Sequence, residues 1–227
     1  DKIEFRDIHF SYDGSREVIE GISFEIKRGE TVALVGPSGG GKSTLSELIP
    51  RFYDVKAGDI LIDGVSVRDY TQDSLRAHMS VVAQDTVLFN DTIEGNIAMG
   101  KAGATHDEIV EAARIANADC FITEAPEGYR TNIGDRGVKL SGGQRQMAYI
   151  AMAIAQDTKY IFLDEPLNNL DMHRAARIMK LLRSLVREQG KTICIVIHDI
   201  NFVSFYADYV VAFRDGVLCH QGPTEDI

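Results

Sequence analysis

The fold is decided by residues 31–44, which read TVALVGPSGGGKST. An apolar run ends at Gly36, a glycine-rich loop follows, and Lys42 begins a helical pattern. Glycines let backbone N–H groups turn toward an anion, and the helix that follows directs its positive end at the same point. A glycine-rich turn with a chance lysine is the alternative, but this stretch lies between a strand and a helix, as a phosphate-binding loop must. It fits the motif G-x-x-x-x-G-K-[ST], with fixed positions at Gly36, Gly41, Lys42 and Ser43.

The polar residues of this loop have defined chemical roles. Lys42 supplies a point charge for the β- and γ-phosphates of a nucleoside triphosphate, and the Ser43 hydroxyl is a ligand for Mg²⁺. The sequence therefore predicts a nucleotide-binding loop made of Gly36, Ser38, Gly39, Gly40, Gly41, Lys42, Ser43 and Thr44.

Length and composition bound the remaining possibilities. The 227 residues fit one large domain, and 44% hydrophobic with 26% charged residues is ordinary for a soluble globular protein. The formal charge of −10 argues against an obligate nucleic-acid partner, because phosphate backbones favour basic surfaces. No apolar run approaches the ~20 residues that span a bilayer, so we expect any membrane role to come through a partner. The scattered residues Cys120, Cys194 and Cys219 form no disulfide framework and predict reduced cytosolic thiols.

The order of patterns predicts an inserted helical part. Strand-like alternation occupies 2–12 and 18–26, whereas the chain from Thr86 to about Ala155 is mostly helical in period. Within it, 106–122 reads as one amphipathic helix. Strand patterns then return at 160–163 and further on. We expect an α/β core of about 1–85 and 156–227 with a helical subdomain of about 86–155. The start at Asp1, without Met, predicts a segment cut from a longer polypeptide.

A second candidate site is the acidic end of the apolar strand pattern at 160–165, YIFLDE. In a phosphate-loop enzyme such a strand lies beside the loop and delivers a carboxylate to Mg²⁺, a role that Asp164 fits. Glu165 is placed to act as the general base toward the attacking water. The alternative is a simple helix cap, with which Pro166 is compatible.

A third motif is Leu140-Ser141-Gly142-Gly143-Gln144. Small residues followed by a helix make another anion-receiving N-terminus, with about +0.5 charge at its end. A single nucleotide cannot easily use both helix ends. The sequence therefore predicts that each end serves a different copy of the protein.

These three motifs, in this order and spacing, resemble the nucleotide-binding domain of ABC transporters across essentially the whole chain. The resemblance assigns four further residues. Tyr12 matches the aromatic that stacks on adenine, although as a bare residue it would more often belong to a core. Gln84 matches the glutamine that touches Mg²⁺ and water, and Asp171 matches the loop that crosses the dimer interface. His198 matches the histidine that contacts the γ-phosphate, although a lone histidine at a strand end is usually structural.

What the resemblance implies is a P-loop ATPase core of α/β class with an antiparallel β subdomain and an inserted α-helical subdomain. It also implies a head-to-tail homodimer that closes on two ATP-Mg²⁺ and drives a transmembrane partner from the cytoplasmic face of the inner membrane. Each ATP contacts Ser141–Gln144 of the other copy. The expected metal ligands are Ser43, Gln84 and Asp164, and the expected catalytic residues are Lys42, Gln84, Glu165 and His198.

The two halves of the chain resemble different branches of this family. Residues 1–146 are similar to the ATPase of lipid and multidrug exporters, as in Thr131–Gly137, TNIGDRG. Residues from about Met147 are similar to the ATPase subunit of iron–siderophore importers, as in 164–171, DEPLNNLD, and 198–201, HDIN. We interpret the chain as a chimera joined within 140–147. The alternative is a natural domain with unusual drift.

Two other functions stay open at this point. A soluble ABC ATPase of DNA repair or translation normally carries a long coiled-coil insertion or two ATPase domains in one chain, and neither is present. A nucleotide-binding module without turnover is the second alternative. It would arise if the signature motif and the Leu170-Asp171 loop, from different lineages, failed to form a working dimer interface.

Overall fold

The computed structural model describes residues 2–85, 87–168 and 170–226. Asp1, Thr86, Asn169 and Ile227, which belong to segments quoted above, lie outside the described residues. The chain forms two compact units. The first comprises the residues up to Val81, Lys159–Glu165 and Leu182 onward, and the second comprises Val82–Thr158 and Pro166–Leu181. The segment 166–181, which we assigned to the α/β core, thus groups with the helical unit.

Ten strands and eight α-helices are found in the described residues. The strands are β1 (Lys2–Phe10), β2 (Ile19–Lys27), β3 (Thr31–Val35), β4 (Ala57–Ile62), β5 (Val65–Ser66), β6 (Met79–Val82), β7 (Tyr160–Asp164), β8 (Thr192–Val196), β9 (Tyr209–Arg214) and β10 (Val217–Pro223). The helices are α1 (Lys42–Leu48), α2 (Gln72–Arg76), α3 (Ile93–Ala98), α4 (His106–Ile115), α5 (Asp119–Thr123), α6 (Gly142–Ala155), α7 (Met172–Gln189) and α8 (Ile200–Tyr206).

The first unit contains an antiparallel sheet of order β2-β1-β4-β5. Strand β1 buries Ile3 and Phe5 on its inner face, and its register shifts between Phe5 and Ile8. The extra residue of this bulge turns the alternation by one position, so Ile8 and Phe10 are buried as well. The alternation in the sequence therefore predicted the strand, but the bulge decided which residues face the core.

A six-stranded sheet of order β10-β9-β3-β8-β7-β6 forms the centre of the first unit. Strand β3 pairs in parallel with β8 and β9, and β8 pairs in parallel with β7. The acidic strand β7 is therefore not hydrogen-bonded to β3, because β8 lies between them. Helix α1, which follows the phosphate loop, contacts β7 and brings the two motifs together. Side chains of both sheets and of α1 form one apolar core. The predicted α/β fold with an antiparallel β subdomain is confirmed.

The second unit is built mainly from helices α3 to α6, with α6 in contact with α3 and α4. The prediction of one helix over 106–122 is wrong. Helix α4 ends at Ile115, and Asn117 adopts a left-handed φ of +55°. Ala118 N–H then donates to Ala113 O at 2.7 Å, and Asn117 N–H donates to Arg114 O at 3.0 Å. This pair of bonds is a Schellman motif, and asparagine tolerates its left-handed position better than most residues.

None of the described helices is long and apolar enough to cross a bilayer.

Candidate functional site

The phosphate loop connects β3 to α1. At two of its positions, the backbone conformation or the lack of space requires glycine. Gly36 has a φ of +143°, and a Cβ at this position would lie 2.1 Å from the carbonyl oxygen of Phe213 on β9. Gly41 caps α1 in the left-handed region, with a φ of +95°. A side chain at either position would push the loop away from its neighbours or strain its backbone. The loop is thus a candidate anion cradle whose conformation depends on glycine at both of these positions.

Lys42 is the first residue of α1 and is almost completely buried, with 3% of its surface exposed. Its Nζ donates to the carbonyl oxygens of Gly36 and Pro37 at 3.0 and 2.8 Å, so the ammonium is held inside the loop. Burial lowers the pKa of Lys42, and the nearby carboxylates of Glu165 and Asp164 oppose that change. The Nζ group is therefore held within the loop, where phosphate oxygens would compete with the two carbonyl oxygens.

Asp164 ends β7 and is the best candidate for a metal ligand. It is 8% exposed, and its Oδ1 has no hydrogen-bond partner among the described residues. Burial raises the pKa of Asp164, whereas a hydrogen bond from the Ser43 side chain opposes the rise. An orphaned buried carboxylate oxygen beside a hydroxyl is the donor set that a hard divalent cation takes together with phosphate oxygens. The residues present therefore fit Mg²⁺.

The rest of the described chain offers no competing metal centre. It contains no group of three or more His, Cys, Asp or Glu side chains placed to hold a metal ion. Mg²⁺ is usually bound by one or two carboxylates together with substrate phosphates and water, rather than by a cage of protein ligands. Asp164 and Ser43 match that pattern.

Glu165 and His198 meet at the carboxyl ends of two neighbouring parallel strands. Asp164 of β7 is in register with Val196 of β8, so the residues that follow each strand emerge side by side. Glu165 adopts a left-handed φ of +49°, and its N–H donates to Val196 O at 3.1 Å. Its Oε1 lies 2.5 Å from His198 Nε2. Because an ionised carboxylate only accepts, His198 donates this bond through Nε2.

Tyr12 follows β1 and reaches the helix after the phosphate loop. Its hydroxyl lies 3.1 Å from Thr44 Oγ1 and donates to Glu47 Oε2 at 2.7 Å. Burial raises the pKa of Tyr12 to about 12. Half of the residue, 51%, remains exposed, so it is not a core residue. An aromatic face open to solvent beside a phosphate cradle can stack on a nucleobase.

The signature motif begins α6 in the second unit, and its side chains cap this helix. Ser141 Oγ accepts from Gln144 N–H at 3.3 Å, while Gln144 Oε1 accepts from Ser141 N–H at 2.8 Å. This capping box leaves the N–H groups of Gly142 and Gly143 outside its two bonds. At Gly143 a Cβ would lie 3.0 Å from Arg174 Nη1, so glycine allows the close approach of that side chain.

Asp171 and Gln84 also belong to the second unit. The carboxylate of Asp171 accepts from Arg174 N–H at 2.9 Å at the start of α7, and this backbone bond lowers the pKa of Asp171. Arg174 Nε lies 3.4 Å from the other carboxylate oxygen of Asp171. Arg174 therefore pairs with Asp171 while its side chain occupies the space where a Cβ at Gly143 would lie. Gln84 lies two residues after β6 with an exposed side chain.

The predicted site residues thus form two groups, one in each unit. Lys42, Ser43, Asp164, Glu165 and His198 share the first unit with Tyr12, and Ser141–Gln144, Asp171 and Gln84 share the second. Sequence reasoning missed Glu47 and Arg174. Each lies three positions after a predicted site residue, Thr44 and Asp171, and side chains at that helical spacing are neighbours. That spacing was the signal available in the sequence.

Comparisons with known proteins give the same family for the whole chain. Residues 19–168 match the family model described as ABC transporter. The ATP-dependent lipid A-core flippase of Syntrophus aciditrophicus is 45% identical over 227 residues, which are 100% of this chain and 37% of that protein. The human ATP-binding cassette sub-family B member 6 is 44% identical over 224 residues, 99% of this chain and 26% of that protein.

A solved structure agrees with these sequence comparisons. The structure titled as a bacterial Atm1-family ABC exporter with ATP bound has a TM-score of 0.94 and 40% identity, over 99% of this chain and 39% of that one. The chain therefore spans less than two fifths of the length of each of these relatives. From the phosphate loop, the acidic strand, the signature motif and these matches, the chain belongs to the ABC transporter family, as an ATPase domain.

Proposed function

We propose that this domain binds ATP with Mg²⁺ at its phosphate loop, hydrolyses it within a head-to-tail homodimer, and energises transport by a membrane partner. The observation that carries the proposal is the pair Asp164 and Glu165. One carboxylate has an orphaned oxygen beside Ser43, and the next is hydrogen-bonded to His198. Two adjacent carboxylates in such different surroundings suit a metal ligand and a general base.

The proposed chemistry assigns one task to each side chain. Lys42 binds the β- and γ-phosphates with its buried ammonium, and the loop N–H groups orient them. Ser43 and Asp164, with Gln84, would hold Mg²⁺, which when bound neutralises negative charge on the phosphate oxygens. Glu165 accepts the proton of the attacking water, whose oxygen bonds to the γ-phosphorus as the bond to the β-phosphate oxygen breaks. His198 orients the Glu165 carboxylate and contacts the γ-phosphate.

The second copy completes the site in this proposal. Gly142 and Gly143 of that copy offer N–H groups that the capping box does not use, at the positive end of a 14-residue helix. Asp171 lies in the same unit and pairs with Arg174, whose side chain packs close to the Cα of Gly143. ATP would thus join the phosphate loop of one copy to the signature motif of the other. The solved structure to which this chain is similar is titled as having ATP bound, which supports ATP as the nucleotide.

The transport role is inferred from the relatives. They are named as a lipid A-core flippase, an ATP-binding cassette protein and an exporter, and this chain matches 26–39% of their lengths. We propose that the domain works with a transmembrane domain at the cytoplasmic face of a membrane. Hydrolysis would reopen the dimer and reset that partner.

We also keep the mosaic origin as a proposal, with the seam within 140–147. The lipid A-core flippase and the human ATP-binding cassette protein align across this seam over 99–100% of the chain. A decisive comparison treats 1–146 and 147–227 separately. The proposal requires the first segment to be more similar to exporter ATPases and the second to importer ATPases. Greater similarity of both segments to exporters would establish a natural domain.

The function is tested by phosphate release measured against protein concentration, for this chain, Lys42→Ala and Glu165→Gln. We expect a specific rate that rises with concentration, because two copies form each site, and that falls sharply in both variants. Glu165→Gln should keep ATP binding, whereas Lys42→Ala should lose it. A flat trace near background with ATP still bound would instead identify a nucleotide-binding module without turnover.

A further inference from the structure

The hydroxyl of Tyr12 is engaged by two side chains of α1. Tyr12 has a single hydroxyl proton, and it donates this proton to the Glu47 carboxylate at 2.7 Å. Thr44 Oγ1 lies 3.1 Å from the same oxygen, so in this arrangement the threonine hydroxyl is the donor. Thr44 and Glu47 are three positions apart on one helix, so their side chains lie on the same helix face and both hydrogen-bond the Tyr12 hydroxyl.

Two aromatic side chains fix the plane of the Tyr12 ring. The buried Phe10 lies edge-on, with 4.9 Å between centroids and 83° between planes. Tyr53 is also edge-on, at 5.1 Å and 89°. Hydrogen bonds at the hydroxyl and ring contacts at the side therefore restrain Tyr12, although 51% of the residue is exposed. Restraining an exposed aromatic before binding removes much of the entropy cost of stacking a ligand on it.

We propose that Glu47 is a positioning residue for the nucleobase: with Thr44 it holds the Tyr12 ring as a preformed platform on which a purine stacks. The inference rests on the proposed function and goes beyond it by connecting the base to the helix that follows the phosphate loop. The acidic side chain is otherwise unexpected there, because a carboxylate on α1 lowers the attraction of this region for a triphosphate. The hydrogen bond from the Tyr12 hydroxyl explains why α1 carries the Glu47 carboxylate at this position.

The test compares two ligands that share the phosphates and differ in the base. Dissociation constants for ATP and for inorganic tripolyphosphate are measured by calorimetry in Mg²⁺, for this chain, Glu47→Ala, Tyr12→Phe and the double variant. Glu188→Ala is the matched control, because it removes one exposed carboxylate of α7, whereas the Tyr12 hydroxyl bonds Thr44 and Glu47 of α1. Melting temperatures are recorded so that a loss of folding is recognised.

We expect Glu47→Ala and Tyr12→Phe each to weaken ATP binding by ~3–10-fold, as for one partly exposed charge-assisted hydrogen bond. Tripolyphosphate affinity should change by less than about twofold, and the double variant should match the single ones. Glu188→Ala should leave both ligands unaffected. Unchanged ATP affinity in Glu47→Ala, or an equal loss for both ligands, overturns the inference.

Two more variants separate this inference from the function on which it rests. If Tyr12→Ala leaves ATP affinity unchanged while Lys42→Ala abolishes it, the phosphate site stands and the base platform is refuted. If Lys42→Ala binds ATP as well as the parent chain, the proposed function itself is wrong.

Discussion

His198 Nε2 lies 2.5 Å from Glu165 Oε1, although 33 positions separate the two residues in the chain. The contact follows from the parallel pairing of β7 with β8, which brings the residues after both strands to one edge of the sheet. A histidine hydrogen-bonded to a carboxylate fixes the orientation of that carboxylate. In the proposed reaction, His198 therefore holds the base that receives the proton of water.

The first prediction concerns this pair. Glu165→Gln should lower the ATPase rate by ~10²–10⁴-fold, the usual contribution of a general base, and keep ATP binding. His198→Ala should also be slow, and the double variant should be no slower than Glu165→Gln, because the two act as one unit. His106→Ala is the control, since His106 pairs with Glu94 at 2.8 Å in the other unit. Glu165→Gln with the parental rate would contradict the assignment.

A second prediction follows from the backbone of Glu165. A non-glycine residue at a φ of +49° costs free energy that glycine does not pay. Glu165→Gly and Glu165→Ala both remove the carboxylate, and only the first relieves the strain. We expect Glu165→Gly to have a free energy of unfolding ~1 kcal/mol higher than Glu165→Ala in urea titrations. Equal midpoints for the two variants would show that this turn is unstrained.

The third prediction separates metal binding from stability at Asp164. Its folded pKa is raised by burial, so folding favours its protonated form, and stability falls as pH rises through the window between the unfolded and folded pKa values. Above the folded pKa, the carboxylate is ionised with one oxygen unpartnered, and this destabilises the fold. Asp164→Asn should raise the melting temperature without nucleotide by roughly 2–6 °C. It should also abolish the Mg²⁺-dependent part of ATP stabilisation.

The same variant has a pH signature. Below the folded pKa of Asp164 the parent chain carries a neutral acid there, so the advantage of Asp164→Asn should shrink on acidification. Melting curves from pH 7 to pH 4 measure this. An advantage that stays constant with pH would mean that Asp164 is already neutral at pH 7.

The fourth prediction compares two glycines of the phosphate loop. Both have positive φ, +143° at Gly36 and +78° at Gly39, but a Cβ would meet Phe213 O at 2.1 Å only at Gly36 and open space at Gly39. Gly36→Ala should lose ATP binding and several degrees of thermal stability, because the clash is with the backbone of Phe213, which cannot move without disturbing β9. Gly39→Ala should cost ~1 kcal/mol, from strain alone. Equal effects in binding and melting experiments would refute the steric role of Phe213.

The fifth prediction uses two capping boxes of the second unit. Ser141 with Gln144 caps α6, and Thr105 with Glu108 caps α4. Ser141→Ala and Thr105→Ala should each cost ~1 kcal/mol in stability. Only Ser141→Ala should also weaken ATP-dependent dimerisation. This is measured by light scattering, with each substitution combined with Glu165→Gln so that bound ATP is not hydrolysed. A similar loss of dimer in Thr105→Ala would mean that Ser141 only caps α6 and has no direct part in dimerisation.

Much of the fold could be predicted because its signals are local. The phosphate loop was predictable because its signal is contiguous: an apolar strand, the glycine spacing of 36–41 and a helix follow one another within a few residues. Strand β1 could likewise be predicted from its alternating pattern, and strands β7 and β8 from their apolar runs. The helix over 106–122 was mispredicted because periodicity continues past Ile115, while the turn at Asn117 depends on two backbone hydrogen bonds that hydrophobic spacing does not encode.

The sequence by itself determined which chemical groups the site can use: a phosphate loop, two carboxylates, a histidine and a second helix N-terminus. Only the tertiary structure decided how they meet. Strand order placed β8 between β3 and β7, α1 brought Ser43 to Asp164, and Glu47 came within 2.7 Å of the Tyr12 hydroxyl. Motifs are local because neighbouring residues set backbone geometry, whereas such contacts depend on how distant segments pack, and no spacing along the chain records that.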